Sequence, residues 1–173
     1  MSPHGDQGSR GELLAPAPVR PVEPLREPPT FAIVITAYQA AATIAAAVRS
    51  ALEQEHPAEQ VIVVDDGSSD DLERALAPLR DRIELIRKPN GGGASARNRG
   101  IEAVEAEFMA ILDADDLYDR RRLGAIAEAA RRRPDLDIVT TDARLVVEGR
   151  PAGSFASTTP FVVEGQRTAI FET

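Results

Sequence analysis

The chain contains the run Phe108-Met109-Ala110-Ile111-Leu112-Asp113-Ala114-Asp115-Asp116, in which apolar residues give way abruptly to acidic ones. The apolar part has the length and flanks of a buried β-strand. Asp113 and Asp115 are two positions apart, so their side chains point the same way in an extended chain. Carboxylates this close repel one another, and burial would raise their pKa unless a cation neutralised them. The run therefore predicts a strand that ends in a divalent-cation site.

The chemistry of such a cation indicates what the site would bind. Mg²⁺ is commonly held by one or two carboxylates, while the phosphates of a substrate complete its coordination shell. The alternative is a solvated acidic turn before the next helix, with Asp119 as the helix cap. For an Asp-x-Asp motif alone that alternative is favoured, because short acidic motifs recur by chance. The rest of the chain has to decide between the two.

Strands and helices alternate along the sequence from Phe31 onward. The predicted strands are 31–36, 61–64, 83–86, 108–112 and 138–140. Three helices are predicted at 43–55, 94–105 and 118–133. A fourth is predicted to start at Ser68, which has the spacing of a capping box with Asp71, and to end near Leu79. A hairpin is predicted around Glu148-Gly149. This alternation predicts an α/β fold with a mainly parallel sheet flanked by helices.

Unusual polar residues follow the predicted strands, at the edge where α/β sheets bind ligands. They are Tyr38, 65–68, the glycine run 91–93 and the acidic cluster 113–116. A carboxylate at Asp66 can accept the imide N–H of uracil or a ribose hydroxyl; the alternative is a helix N-cap, a role that Ser68 fills better. Arg97 lies about one turn into the helix predicted at 94–105 and can face a base or a diphosphate. The alternative is that Arg99 faces the ligand and Arg97 faces solvent.

The composition excludes several functional classes. The length of 173 residues fits one domain. The net charge of -8 argues against a nucleic-acid partner. The absence of cysteine excludes disulfides and thiolate catalysis. No apolar run approaches the ~20 residues of a transmembrane helix. Seven of the thirteen prolines fall in residues 1–30, which predicts a disordered arm before a domain spanning 31–173.

The motifs, taken in order, resemble family 2 glycosyltransferases with the GT-A fold. They are Val-Ile-Thr-Ala-Tyr-Gln at 34–39, Gln54, Val-Ile-Val-Val-Asp-Asp-Gly-Ser-Ser-Asp at 61–70, Asn-Gly-Gly-Gly-Ala-Ser-Ala-Arg-Asn-Arg-Gly at 90–100 and Ile-Leu-Asp-Ala-Asp-Asp at 111–116. The resemblance covers residues 31–140 in the family's order and spacing, so it is more specific than any single motif. Thr36 stands where the family usually has proline and Gln39 where it usually has asparagine, and neither change removes a metal ligand.

The resemblance implies a Rossmann-like GT-A sheet and roles for individual residues. The residues that would line the nucleotide pocket are Ala37, Tyr38 and Asp66. Arg97 would contact the base or the diphosphate, and Asp113 would help to position the donor. Asp115 would bind Mn²⁺ or Mg²⁺ bridging the two phosphates, because a metal stabilises the charge that develops on a nucleoside-diphosphate leaving group.

The resemblance also implies a reaction and a setting. A sugar would pass, with inversion, from a nucleotide-sugar donor to a hydroxyl of a saccharide or lipid-linked acceptor. A UDP-sugar is the default donor, with GDP- and dTDP-sugars left open. Polysaccharide, glycolipid or cell-envelope synthesis is the implied setting, in the cytoplasm or, by peripheral association, at the inner face of the membrane.

The chain lacks a segment that the family uses for catalysis. Inversion needs a carboxylate base, and the family carries it in a later motif that has no match here. The base is therefore expected beyond Thr173, and the acceptor half of the domain is expected to be truncated.

Two other functions stay open on the sequence. One is a non-catalytic nucleotide-sugar-binding fragment that lacks the acceptor half. The other is a phosphoacceptor receiver domain, which also gathers aspartates at strand ends. A receiver needs a lysine at the end of a late strand, whereas Lys88, the one lysine of the sequence, follows the third strand. The receiver hypothesis is therefore disfavoured.

Overall fold

A computed structural model describes the backbone of residues 28–147, 150–154 and 168–171, and the side chains of the first two ranges. The strands in these ranges are β1 (Phe31–Ala37), β2 (Gln60–Asp65), β3 (Glu84–Arg87), β4 (Phe108–Asp113), β5 (Ile138–Thr141), β6 (Arg144–Val147), β7 (Arg150–Ser154) and β8 (Thr168–Phe171). The helices are α1 (Ile44–Leu52), α2 (Leu72–Leu76), α3 (Gly93–Ile101) and α4 (Arg122–Arg132). A 3-10 helix, Ala77–Arg82, continues α2. The arm predicted for 1–30 lies almost entirely outside the described residues.

The main sheet is parallel throughout and has the strand order β3-β2-β1-β4. Its central strand, β1, is buried along nearly its whole length, and β2 is buried from Val61 to Asp65. Strands that helices cover on both faces have continuous apolar runs, as β1 and β2 do. The run at 108–112, predicted to be a buried strand, is instead the edge strand β4, in which Met109 and Ile111 are exposed. The predicted α/β fold with a parallel sheet is confirmed.

Helices pack on both faces of this sheet. On one face, Ile33 and Ile35 of β1 share a core with Val48 of α1 and Leu123 of α4. On the other face, Ala32, Val34, Ile62 and Val64 pack with Ala96 of α3. Alternate residues of a strand point to opposite faces, which is why neighbours along β1 belong to different cores.

The capping-box prediction at Ser68 is wrong. Helix α2 begins at Leu72 with Asp71 in the N-cap position, and no side chain caps it. Ser68 is instead buried in the preceding turn, where its N–H donates to Asp65 Oδ1 at 2.8 Å and its hydroxyl accepts from Gln39 N at 3.0 Å. A contact with a residue far away in the sequence has taken the place of a local cap.

Other element boundaries differ from the prediction by a few residues. Helix α3 ends at Ile101 rather than at 105, and α4 begins at Arg122 rather than at 118. The predicted hairpin is present as the antiparallel pair β6–β7, although residues 148–149 at its turn lie outside the described residues. No helix in the described part of the chain is long and apolar enough to cross a membrane.

Candidate functional site

The carboxyl ends of three neighbouring strands bring the predicted site residues to one edge of the sheet. Ala37 at the end of β1 pairs with Asp65 of β2, and Thr36 pairs with Asp113 of β4. Ala37 is buried, whereas the side chain of the next residue, Tyr38, is 56% exposed. Parallel strands end at a common edge, so segments that are distant in sequence become neighbours there.

Asp66 lies beneath the glycine loop, which we define as residues 90–93. Its carboxylate accepts hydrogen bonds from Gly91 N at 3.0 Å and from Gly92 N at 2.8 Å. The Asn90 side chain donates to the Asp66 carbonyl oxygen at 3.0 Å. Asp66 therefore holds the glycine loop in place through hydrogen bonds of both its carboxylate and its backbone.

Lys88 completes this arrangement. Its Nζ lies 2.5 Å from Asp66 Oδ1, and its side chain is 18% exposed. The Lys88 hydrogen bond is the largest influence that holds the pKa of Asp66 below its usual 3.8; burial opposes it, and the Gly91 and Gly92 amides reinforce it. The sequence analysis did not assign Lys88 to the site. The available signal was a single lysine in an arginine-rich chain, directly after a strand.

Arg97 and Arg99 of α3 face different surroundings. The Arg97 guanidinium lies 3.6 Å from Asp113 Oδ1 and so links α3 to the end of β4. Its Nε is buried and has no hydrogen-bond partner among the described residues. Arg99 pairs with Glu102 at 3.4 Å within its own helix. Of the two arginines, Arg97 is the one that lies at the sheet edge.

Strand β4 ends at Asp113, and the acidic cluster continues in a turn closed by a hydrogen bond from Asp116 N to the Asp113 carbonyl oxygen at 3.1 Å. The extended chain on which the spacing argument depended therefore stops at Asp113. Asp113 and Asp115 are both exposed, and Ala114 between them is buried. Burial, and then the charges of Asp115 and Asp113, raise the pKa of Asp116, while Arg122 opposes them. Within residues 28–147, 150–154 and 168–171, no group of three or more histidine, cysteine or acidic side chains could hold a metal ion alone.

Buried polar contacts fix the segment that follows the acidic cluster. The Tyr118 hydroxyl donates to the Ile111 carbonyl oxygen at 2.6 Å, and the Tyr118 N–H donates to Ser50 Oγ at 3.0 Å. Burial raises the pKa of Tyr118 to about 12, although the charge of the neighbouring Arg122 and its hydrogen bond act to lower this pKa. These contacts explain why α4 starts after Tyr118: the tyrosine anchors the loop to β4 and α1.

Gln54, two residues after the end of α1, anchors the same loop and is itself buried. Its side-chain amide donates to the Asp119 carbonyl oxygen at 2.8 Å and accepts from Leu123 N at 3.0 Å. The glutamine that the motif pattern singled out therefore supports the acidic cluster indirectly.

Gln39 joins the loop after β1 to the loop after β2. Its side-chain oxygen accepts from Ser69 N and Asp70 N, each at 3.1 Å, and its amide nitrogen donates to Ser69 Oγ at 2.9 Å. Its φ of 52° lies in the left-handed region, which asparagine adopts more readily than most residues. The Gln39 hydrogen bonds offset this backbone strain.

A cavity of about 870 Å³ adjoins the acidic cluster. Its lining includes Asp113, Asp115, Tyr118, Arg122 and Arg144. This volume falls within the ~300–1,000 Å³ typical of small-molecule sites. The edge of the sheet therefore offers exposed carboxylates, a buried anion beneath a glycine loop and adjoining space for a ligand.

Comparison with known proteins gives a family match over most of the chain. The model of Glycosyl transferase family 2 matches residues 32–161. The succinoglycan biosynthesis protein ExoO of Rhizobium meliloti (strain 1021) is 40% identical over 124 residues, which are 67% of this chain and 36% of that protein. The putative teichuronic acid biosynthesis glycosyltransferase TuaG of Bacillus subtilis (strain 168) is 29% identical over 131 residues, 73% of this chain and 52% of that protein.

Solved structures agree with these sequence matches. The crystal structure of S. aureus TarS in complex with UDP matches with a TM-score of 0.61 and 25% identity, covering 70% of this chain and 37% of that chain. The TarS complex with UDP-GlcNAc matches with the same TM-score. The chain thus spans about a third to a half of the length of the relatives named here.

Proposed function

This chain belongs to glycosyl transferase family 2, and from that premise we propose that the carboxyl edge of its sheet binds a nucleoside-diphosphate sugar, with a UDP-sugar as the first candidate. The parallel sheet with flanking helices is the GT-A arrangement that the motifs predicted. The observation that carries the proposal is that Tyr38, Asp66, Arg97 and Asp115, from four separate segments, lie at one edge of this sheet. The family match removes the receiver-domain alternative.

The nucleotide would lie between the ends of β1 and β2. The exposed Tyr38 ring offers a stacking surface for a base, and the buried carboxylate of Asp66 is an acceptor for a ring N–H or a ribose hydroxyl. Arg97 would contact the base or the diphosphate through a guanidinium donor that has no partner among the described residues. The UDP and UDP-GlcNAc complexes of TarS support a uridine-linked donor.

We propose Asp115 as the ligand of Mn²⁺ or Mg²⁺, with Asp113 helping to position the donor. Asp115 is exposed and forms no hydrogen bond or ion pair with the described residues, and its charge contributes to the raised pKa of Asp116. A cation fits here because it would relieve this repulsion, and one or two carboxylates suffice when phosphates complete the coordination. When bound, the metal would supply Lewis-acid stabilisation of the leaving diphosphate.

The transfer reaction belongs to the same proposal. The sugar would occupy the cavity beside Asp113. A hydroxyl of a saccharide or lipid-linked acceptor would attack the anomeric carbon of this sugar with inversion, and the nucleoside diphosphate would leave. Residues 31–173 would form part of a GT-A domain that acts in polysaccharide or cell-envelope synthesis, in the cytoplasm or at the inner face of the membrane. The name of ExoO supports the polysaccharide setting.

Calorimetric titration of UDP, with and without Mn²⁺, tests the donor site directly. We expect UDP to bind more tightly with Mn²⁺, and Asp115→Ala to weaken the Mn²⁺-dependent binding by at least about tenfold. Asp81→Ala, an exposed acid on the 3-10 helix, is the matched control and should bind as the wild type does.

The outcomes separate the two candidate functions. Absence of UDP, GDP and dTDP binding to the folded wild type would contradict the donor site. Metal-dependent binding without sugar transfer would identify the non-catalytic nucleotide-sugar-binding alternative.

A further inference from the structure

The described residues leave one donor of Lys88 unused, next to Asp66. Its Nζ donates to Asp66 Oδ1 at 2.5 Å and to the Pro89 carbonyl oxygen at 2.7 Å. A lysine ammonium carries three donors and no acceptor, so one N–H remains for a ligand. The side chain is largely but not completely buried, with 18% exposed. Lys88 therefore presents a charged donor at the bottom of the proposed nucleotide pocket.

The contacts within the described part of the chain also leave one acceptor position of Asp66 open in the same place. It receives hydrogen bonds from Lys88 Nζ, Gly91 N and Gly92 N. Two carboxylate oxygens offer about four lone-pair sites, so about one stays available. The lowered pKa keeps this carboxylate ionised at neutral pH. A donor and an acceptor thus lie side by side, next to the strand end that carries the exposed Tyr38 ring, since Asp66 N donates to the Ala37 carbonyl oxygen at 2.9 Å.

We propose that Lys88 and Asp66 together recognise one edge of the nucleobase, Asp66 accepting the ring N–H and Lys88 donating to the neighbouring carbonyl oxygen. This inference rests on the proposed function and makes Lys88 a residue that determines donor specificity. Uracil, thymine and guanine carry an N–H beside a carbonyl. For a pyrimidine this edge is the one formed by N3 and C4, because the C2 carbonyl is common to uracil and cytosine. At this edge cytosine carries a bare ring nitrogen beside an amino group, as adenine does at N1 and C6. The ring nitrogen would then face the Asp66 acceptor, and the amino group would face the Lys88 donor.

The energetics favour strong discrimination. A hydrogen bond to a charged group is stronger than one between neutral groups, and a buried polar group left without a partner is costly. Sites built around such bonds reject analogues that lack the matching group much better than apolar pockets do. UDP and CDP are the sharpest pair of probes, because their bases have the same size and differ at this edge.

The test is calorimetric titration of UDP and of CDP, with Mn²⁺ at neutral pH, into the wild type and Lys88→Met. We expect the wild type to bind UDP at least about tenfold more tightly than CDP. Lys88→Met should weaken UDP binding by about tenfold to a hundredfold and leave CDP binding nearly unchanged, so that the preference collapses. Arg99→Met, which removes one positive charge from α3, is the matched control and should keep the preference.

If Lys88→Met weakened the binding of UDP and of CDP equally, Lys88 would contact the diphosphate or support the glycine loop rather than read the base. This result would overturn the inference. If that variant does not fold, the wild type can be titrated with 2-thio-UDP and 4-thio-UDP, because sulfur is a poor acceptor. 4-thio-UDP should bind more weakly than UDP, and 2-thio-UDP should bind as UDP does. Equal binding of 4-thio-UDP and UDP would overturn the inference. Absence of UDP binding to the wild type would instead remove the proposed function, and the inference with it.

Discussion

Single charges at this sheet edge are controlled by their immediate partners. Asp66 is buried and ionised because Lys88 and the glycine-loop amides surround it, whereas Asp115 is exposed and forms no ion pair with the described residues. The first carboxylate is therefore suited to recognition and the second to binding a cation. Residue type alone does not distinguish them, because both are aspartates after a strand.

The low pKa of Asp66 predicts a pH dependence of stability. A carboxylate whose pKa is lower in the folded state than in the unfolded state stabilises the fold above the unfolded value, and this contribution disappears as the pH falls through the folded value. Because the pKa of Asp66 lies below 3.8, Asp66→Asn should lower the Tm at pH 7, and its difference from the wild type should narrow as the pH falls below 3.8.

Thermal unfolding followed by circular dichroism at neutral and acidic pH measures this difference. Asp81→Asn, an exposed acid outside the site, is the control for general effects of removing a carboxylate. A Tm difference for Asp66→Asn that stays constant across the acid range would contradict the ionic account of the loop.

The loops after the strands are held to one another by close backbone contacts. Gly67, in the turn after β2, has a φ of 76°, and a Cβ there would lie 2.7 Å from Asn90 N and 3.2 Å from the Lys88 carbonyl oxygen. A side chain would therefore separate the turn from the glycine loop. Only glycine combines this backbone conformation with so close an approach.

Gly67→Ala should destabilise the protein by about 1–3 kcal/mol, because the alanine backbone would be strained at this φ and its Cβ would collide with the backbone of Asn90. Urea denaturation measures the loss. Gly93→Ala is the matched control. A Cβ there meets no heavy atom within 4 Å, and alanine has the better helix propensity at the start of α3, so the free energy of unfolding should stay unchanged or rise by up to about 1 kcal/mol. Equal losses in the two variants would mean that the loop contact does not matter.

The close packing of α3 against the sheet links the second hydrophobic core to the candidate site. A Cβ at Gly100 would collide with the Val34 side chain and lie 3.3 Å from Val64 Cγ2. Helix α3 begins in the glycine loop and carries Arg97. Its distance from the sheet therefore affects the second core and the geometry of the site together.

Gly100→Ala should cost about 1–3 kcal/mol of stability, because overpacking outweighs the better helix propensity of alanine. Adding Val34→Ala makes room for the new methyl group, so the double variant should be more stable than the sum of the single losses predicts. Urea denaturation of the three variants measures this coupling. Strict additivity would contradict the direct contact.

The parallel α/β sheet, and the edge of it that carries the candidate site, could be predicted from the amino-acid sequence. Apolar runs such as Val61–Val64 predict strands covered on both faces, and the alternation with helices predicts parallel strands that share a carboxyl edge. The order and spacing of the motifs were enough to identify the family. These features could be predicted because periodicity and strand order are properties of the local pattern.

The pairing of the polar groups, in contrast, depends on how the elements pack and could not be predicted from the sequence. Lys88 and Asp66 are 22 positions apart, and Gln54 and Asp119 are 65 positions apart. Ser68, predicted as a helix cap, bonds instead to Gln39 across the sheet edge. A local pattern constrains backbone conformation and the direction of each side chain, whereas such partnerships depend on how the packed elements bring distant loops together.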